Sequence, residues 1–142
     1  SMNAGFSNAS TTWLPVNSDY TTMNVKAQTA ATNSHLKIFK KLTKLRKHNV
    51  LRRGDYESKL INNDNVIIYR RWYESNMAIV ILNFAKTAQT VDVKAAFSTA
   101  TLPDELPIYT GSLNEFVEGT SQSLSSVTIP ADKAVVLSNV TL

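Results

Sequence analysis

The stretch from Asn65 to Phe84, NVIIYRRWYESNMAIVILNF, constrains the fold more than any other part of the sequence. Two runs rich in β-branched and aromatic residues, Val66–Tyr73 and Met77–Phe84, are separated by the turn formers Glu74, Ser75 and Asn76, the pattern of a β-hairpin. The arms differ. Arg70 and Arg71 interrupt the first, which predicts a strand with one wet face or a wet end. Ala78–Leu82 is apolar at every position, which predicts a strand covered on both faces. A lone hairpin is marginal in water, so other segments have to supply layers above and below it.

With 142 residues the chain is long enough for one hydrophobic core. No apolar run approaches the roughly 18 to 20 residues that span a bilayer as a helix. The absence of cysteine excludes disulfides and thiolate metal sites without fixing a compartment. The net charge of +4 is local rather than global. No acidic residue occurs between Asp19 and Asp55, while Lys37, Lys40, Lys41, Lys44, Arg46, Lys47, Arg52 and Arg53 crowd into that window. Ser1 and Met2 read as a cloning remnant, and the chain then opens on Asn3-Ala4-Gly5-Phe6, so the expectation is a piece of a longer protein.

Residues 3 to 33 are rich in Asn, Ser, Thr and Ala and follow neither a helical nor a strand period, which predicts irregular structure pinned by Trp13, Pro15 and Tyr20. So long a loop suits a surface that once lay on something else. From Ser34 the pattern becomes helical through His48, with Asn33 or Ser34 as the cap. At about 100° per residue, Leu36, Ile38, Phe39, Leu42 and Leu45 sweep roughly half the circumference, wider than the stripe one partner requires. Two packing partners are implied, one of them absent from this chain.

Beyond Leu51 short strands and turns take over. Strands are predicted at Tyr56–Ile61, Val66–Tyr73, Met77–Phe84, Gln89–Ala95, Leu106–Thr110, Leu124–Ile129 and Lys133–Val140, with Val127, Ile129, Val135 and Leu137 lining a final hairpin closed at Pro130 to Lys133. The fold class expected is mainly β: an antiparallel Greek-key β-sandwich, residues 51–142, preceded in residues 1–50 by an irregular segment and one α-helix.

No catalytic constellation stands out. His35 and His48 flank one helix with no cysteine or carboxylate beside them, a poor metal site. No G-x-S-x-G elbow occurs. The carboxylate pairs Asp55 with Glu57, Asp104 with Glu105 and Glu115 with Glu118 sit among strands and turns, where solvated surface is the expected role rather than glycoside hydrolysis. The lysines of the helix lie opposite its apolar arc, as on any solvated face, so no nucleic-acid partner is expected. Tyr69, Trp72 and Tyr73 suggest a sugar-stacking platform, but an aromatic-rich hairpin is more often core, and core is the role expected of them. Asn8-Ala9-Ser10 and Asn139-Val140-Thr141 are N-glycosylation sequons, making Asn8 and Asn139 candidate acceptors in a secreted parent. Catalytic residues, metal and cofactor are assigned to none of this chain.

The boxes Asn3-Ala4-Gly5-Phe6, Trp13-Leu14-Pro15-Val16-Asn17 with Tyr20, Asn24-Val25-Lys26-Ala27-Gln28, the helix carrying Ser34, Leu36, Phe39, Lys40, Leu42, Leu45, Arg46 and Lys47, and Gly54-Asp55-Tyr56 occur in an order that resembles the α-glucosidases of the α-amylase superfamily, glycoside hydrolase family thirteen, and most closely the insect maltases. Lys26 departs from it, standing where relatives often carry an acid. The resemblance implies that residues 1–50 are the rim loop and last helix of a TIM barrel that is otherwise missing, and residues 51–142 its C-terminal sandwich. It further implies a parent that hydrolyses terminal α-linked glucose in maltose-type oligosaccharides by a retaining mechanism, secreted or membrane-anchored outside the cell, with the catalytic carboxylates upstream of Asn3. The partner of this piece would be its own barrel, or a second copy through the exposed helix face. The alternative implied by the same boxes is a non-catalytic ectodomain of an amino-acid-transporter heavy chain.

Overall fold

The computed structural model describes residues 2–141. Eight strands follow a mostly helical first third: β1 Asp55–Ile61, β2 Val66–Tyr73, β3 Asn76–Asn83, β4 Gln89–Val91, β5 Glu105–Gly111, β6 Ser121–Ser123, β7 Val127–Ile129 and β8 Ala134–Ser138. Six of them form an antiparallel sheet in the order β1-β2-β3-β8-β5-β6, and β4 with β7 forms a second, two-stranded sheet. The antiparallel, mainly β sandwich expected from the spacing of short strands is the fold observed.

The β2–β3 hairpin is its spine. Tyr73 pairs with Asn76 and Val66 with Asn83, so the turn is only Glu74-Ser75, with Glu74 at φ 52°. The β1–β2 turn places Asn62, Asn63 and Asp64 all at positive φ, a region that Asn and Asp tolerate better than other side chains. One face of the large sheet meets the β4–β7 sheet. Ile68, Ile79, Ile81, Val91, Val93, Phe97, Leu124, Val127, Ile129, Val135 and Leu137 close that core without exposure to water. The opposite face of β3 and β8 is seated under helices, with Ala78, Val136 and Val140 against Leu45 and Val50. The uninterrupted apolar run in β3 therefore has the two-sided cover its composition demands.

Three expectations are corrected. Val127, Ile129, Val135 and Leu137 are all buried, but β7 pairs with β4 and β8 lies between β3 and β5, so they line a crossing between sheets and not a hairpin. The strand expected over Gln89–Ala95 ends at Val91, because the Asp92 carboxylate accepts the Ala95 N–H at 2.8 Å and starts α4, Val93–Ala96. Arg70 is not at a wet face. It is buried, its guanidinium 4.0 Å from the centre of the Trp72 ring and ion-paired to Glu57 at 2.7 Å. Burial is tolerated because the charge is both paired and stacked.

The first third is also less irregular than expected. Asn24 caps a short helix, Val25–Ala30, by accepting the Ala27 N–H at 2.9 Å. The long helix spans His35–Lys47 and a further turn, Asn49–Arg52, leads into β1. These are α1, α2 and α3 in chain order, with α4 in the sandwich. Gly54 lies where α3 gives way to β1, and an added Cβ would come within 2.3 Å of the Val50 carbonyl and 2.6 Å of that of Trp72. The backbone approach that couples helix to hairpin is closed to every other residue.

Asn83 ties the sheets together. Its buried amide nitrogen donates to the carbonyls of Thr87, Ile129 and Pro130 at 2.9 to 3.0 Å, and its oxygen accepts the Ala85 N–H at 2.9 Å. Replacing it by alanine strands these groups, and urea denaturation is expected to show a loss of about 2 to 5 kcal/mol, far above that for alanine at the exposed Ser125.

Candidate functional site: an open apolar face on the last helix and the sheet

Helix α2 faces three environments at once. Ser34 caps it, accepting the Lys37 N–H at 3.3 Å, and the Gln28 side chain accepts the Leu36 N–H at 3.0 Å. The Ser34 hydroxyl in turn donates to the Gln28 carbonyl at 2.7 Å. Asn24 and Gln28 thus have defined duties, one starting α1 and the other joining it to α2. Toward the sandwich, Leu45 is 2% exposed, the Tyr109 hydroxyl donates to the Lys41 carbonyl at 3.2 Å, and the Lys41 ammonium pairs with Glu118. About a sixth of a turn around the helix from Leu45, Leu42 is 38% exposed, and about a third of a turn around, Phe39 is 63% exposed. Beyond them lies the solvated ridge of Lys40, Lys44 and Lys47.

The open side continues onto the sheet. Cross-strand pairing of Leu60 with Ile67, Ile67 with Leu82, and Leu82 with Ala134 places these four on one face in a row. The helices cover the Ala78 end of that face, whereas Leu60 is exposed and Ile67 and Leu82 are half-buried. The row runs into a groove where Ile38 and Leu42 of α2 face Ala134 and Val136 of β8. Helix and sheet together present an apolar surface that is exposed at Phe39, Leu42 and Leu60 and half-buried at Ile38, Ile67, Leu82 and Ala134.

The residues weighed for chemistry fall elsewhere. Trp13 is 96% exposed and pins nothing within this chain, against expectation. His48 is a structural cap whose Nδ1 accepts the Val50 N–H at 3.2 Å, and His35 is exposed on α2. Among the described residues no three His, Asp or Glu side chains gather into a metal-sized cluster. The carboxylates are spread among cation partners: Glu57 with Arg70 and Lys59, Asp104 with Lys94, Glu115 with Lys133, Glu118 with Lys41. Lys94 holds the Asp104 carboxyl below the usual carboxylate range by its hydrogen bond and its charge.

The aromatic trio does not form a platform. Neighbours along a strand point to opposite faces, so Trp72 stacks beneath Arg70 while Tyr69 and Tyr73 lie on the other side. Tyr69 instead meets Tyr56, with ring centroids 5.9 Å apart, a pairing that sequence reading missed because it needs the β1–β2 register. Lys26 is exposed and has no ion-pair partner among the described residues. Asn8 is exposed in the first loop and Asn139 follows β8.

Burial, with the neighbouring Tyr56, raises the Tyr69 phenol above its ordinary value of 10.0 despite the opposing charge of Arg71. Burial, with Glu118 beside it, likewise raises Tyr109. Both groups keep their protons longer in the folded state. Their contribution is complete below the ordinary tyrosine pKa and is lost as pH rises through the raised values. Circular dichroism against pH is expected to show stability falling above about pH 10, with the fall moved upward by Tyr69→Phe. The split face of α2 also predicts unequal costs within this chain: Leu45→Ala about 2 to 5 kcal/mol, Phe39→Ala within about 0.5 kcal/mol, by denaturant titration.

Comparison with known proteins agrees with this architecture. The family description "Alpha amylase, catalytic domain" matches residues 1–54, and "Alpha amylase, C-terminal all-beta domain" matches residues 56–140. A salivary alpha-glucosidase of Aedes aegypti is 44% identical over 69% of this chain and 17% of its own length. Maltase A1 of Drosophila melanogaster is 36% identical over 84% of this chain and 20% of its own. A human amino acid transporter heavy chain, SLC3A1, is 39% identical over 61% of this chain and 13% of its own. The solved structure of a trehalulose synthase from Pseudomonas mesoacidophila superposes over 97% of this chain and 23% of that one with a TM-score of 0.71 at 22% identity, a likeness of fold. The chain spans about a fifth of the length of the curated relatives it matches. Its two matched segments, in order and covering nearly every residue, make it a member of the α-amylase family, similar to the C-terminal portion of the insect maltases and α-glucosidases.

Proposed function

We propose that this chain is the C-terminal part of a retaining α-glucosidase and that its own work is to brace the catalytic barrel. The observation that carries the reading is the helix α2, closed by Leu45 on the sandwich and open at Phe39 and Leu42 on the other side. In this reading α2 is the last helix of the barrel and residues 1–50 its C-terminal end. The open apolar row from Leu60 to Ala134 continues the same contact. Covering two side chains such as Phe39 and Leu42 contributes about 1.5 to 3 kcal/mol each. The parent would take maltose-type oligosaccharides, its nucleophile and acid/base carboxylates standing on barrel strands outside this chain. Salivary relatives support a secreted parent.

The isolated chain is expected to release no glucose from maltose or p-nitrophenyl α-glucoside, and turnover by it would overturn the reading. In the parent enzyme the double change Phe39→Glu and Leu42→Glu is expected to lower stability by about 3 kcal/mol or more, by placing carboxylates against a covered face. In the isolated chain Phe39→Glu alone should cost little and abolish any concentration-dependent dimer, since a second copy is the other cover available to that face. Sedimentation velocity reads this directly.

A second reading is a non-catalytic transporter heavy-chain ectodomain, favoured by a mouse SLC3A1 that is 29% identical across 99% of this chain. The parent gene decides between them. An intact set of two aspartates and a glutamate on the barrel supports the enzyme, and its loss together with a membrane-spanning segment supports the heavy chain.

A further inference from the structure

The two sequons differ in what their asparagine is free to do. At Asn139 both ends of the carboxamide are engaged: Oδ1 accepts the Met77 N–H at 2.7 Å and Nδ2 donates to the Ser75 carbonyl at 2.8 Å. A backbone donor and a backbone acceptor fix which end is oxygen and which nitrogen. Those two partners flank Asn76, so the fork clasps the start of β3 to the end of β8, beyond their last paired residues Ala78 and Ser138. The middle residue of the sequon is held as well, although Asn139 and Thr141 are themselves exposed. Val140 lies in the core beside Leu45 and Val50, and its N–H donates to the Ser138 hydroxyl at 3.1 Å, which itself donates to the Met77 carbonyl at 2.7 Å.

Within this chain Asn8, Ala9 and Ser10 are exposed, as Asn139 is, but the Asn8 side chain makes no hydrogen bond among the described residues. The loop beneath is shaped by other groups. The Asn3 amide donates to the carbonyls of Ser7 and Ala9 at 3.0 and 2.7 Å, and the Ala9 N–H donates to the Ser7 hydroxyl at 3.1 Å. The acceptor nitrogen of Asn8 stands clear of all of them.

We infer that Asn8 is the N-glycan acceptor of this chain and that Asn139 is a structural clasp left unmodified once the sandwich has folded; the inference rests on the extracellular reading given above. In the transfer, Nδ2 forms a bond to the anomeric carbon of a lipid-pyrophosphate-linked oligosaccharide. The bond from that carbon to phosphate oxygen breaks, the lipid pyrophosphate leaves with its electron pair, and Nδ2 gives up one proton. The sugar takes the position syn to Oδ1 on the amide. That is the hydrogen a fork reaching Met77 and Ser75 together has to use, so glycan and clasp exclude each other.

The test is glycopeptide mapping of the full-length parent secreted from eukaryotic cells behind a heterologous signal sequence, which separates acceptor choice from the protein's own address. Asn8 is expected near full occupancy and Asn139 near none. The Asn8→Gln variant should lose that glycan. Thr141→Ala, which removes the second sequon and keeps the clasp, should leave both electrophoretic mobility and Tm unchanged. Asn139→Ala should lower Tm by roughly 1 to 2 °C. A glycan on most copies of Asn139, a bare Asn8, or an unchanged Tm in Asn139→Ala would each overturn the inference. Retention of the parent in the cytosol behind its own N-terminus would instead count against the extracellular reading alone.

Discussion

The seating of Leu45 and Val50 on the outer face of β3 and β8 is the contact on which the molecule depends. Strand β3 is apolar on both sides, and a sandwich covers only one of them. The other would face water along Ala78 and its neighbour Val136 were it not for α2 and α3. Gly54 sets how near that helical pair can come, its missing Cβ leaving room for the carbonyls of Val50 and Trp72. Arg71 fastens the same junction by donating to the Gly54 carbonyl at 2.8 Å. Helix and sheet are therefore one packing unit, even though two family descriptions divide the chain close to this point.

That unit is complete on the sandwich side and incomplete on the other. Within a single helix Leu45 is sealed, Leu36 and Ile38 are half-buried, and Leu42 and Phe39 are progressively more exposed, a gradient that propensity alone cannot produce. The hydrophobic effect acts on area removed from water and is indifferent to which partner removes it. A helix with half its circumference apolar is thus stable in a chain that covers half of that arc, provided the covered half is large enough. The same logic holds for the row from Leu60 to Ala134, which shares its strands with a fully closed core on the opposite face. The positive charge of Lys40, Lys44 and Lys47 sits away from the apolar arc, on the solvated flank of the helix.

The polar residues that matter act by joining segments. Gln28 joins α1 to α2, Asn83 joins the two sheets, Asn139 joins the end of β8 to the start of β3, and Arg70 with Glu57 joins β1 to β2 beneath Trp72. Gln28, Asn83 and Asn139 bond to backbone where regular pairing stops, whereas Arg70 and Glu57 pair side chain to side chain within the ladder. Several fall inside or beside the boxes that mark the family, which gives those boxes a physical content independent of catalysis. The hairpin, the helix with its Ser34 cap, the strand spacing and the family were all legible because they rest on local chemistry: period, capping, turn formers and ordered short motifs. The short helices α1 and α4 carried a signal in Asn24 and Asp92 that was outweighed by their small size.

What the sequence determined by itself is the period of each segment and the side of it that must leave water, since both follow from residue order along a helix or strand. Only the tertiary structure decided which segments meet. Register brought Tyr56 against Tyr69, sent β8 between β3 and β5, buried Arg70, and occupied the amide of Asn139 while leaving that of Asn8 free. Those outcomes depend on contacts between residues tens of positions apart, whose partners no local pattern names, because burial and hydrogen bonding are satisfied by whichever group the fold brings within reach.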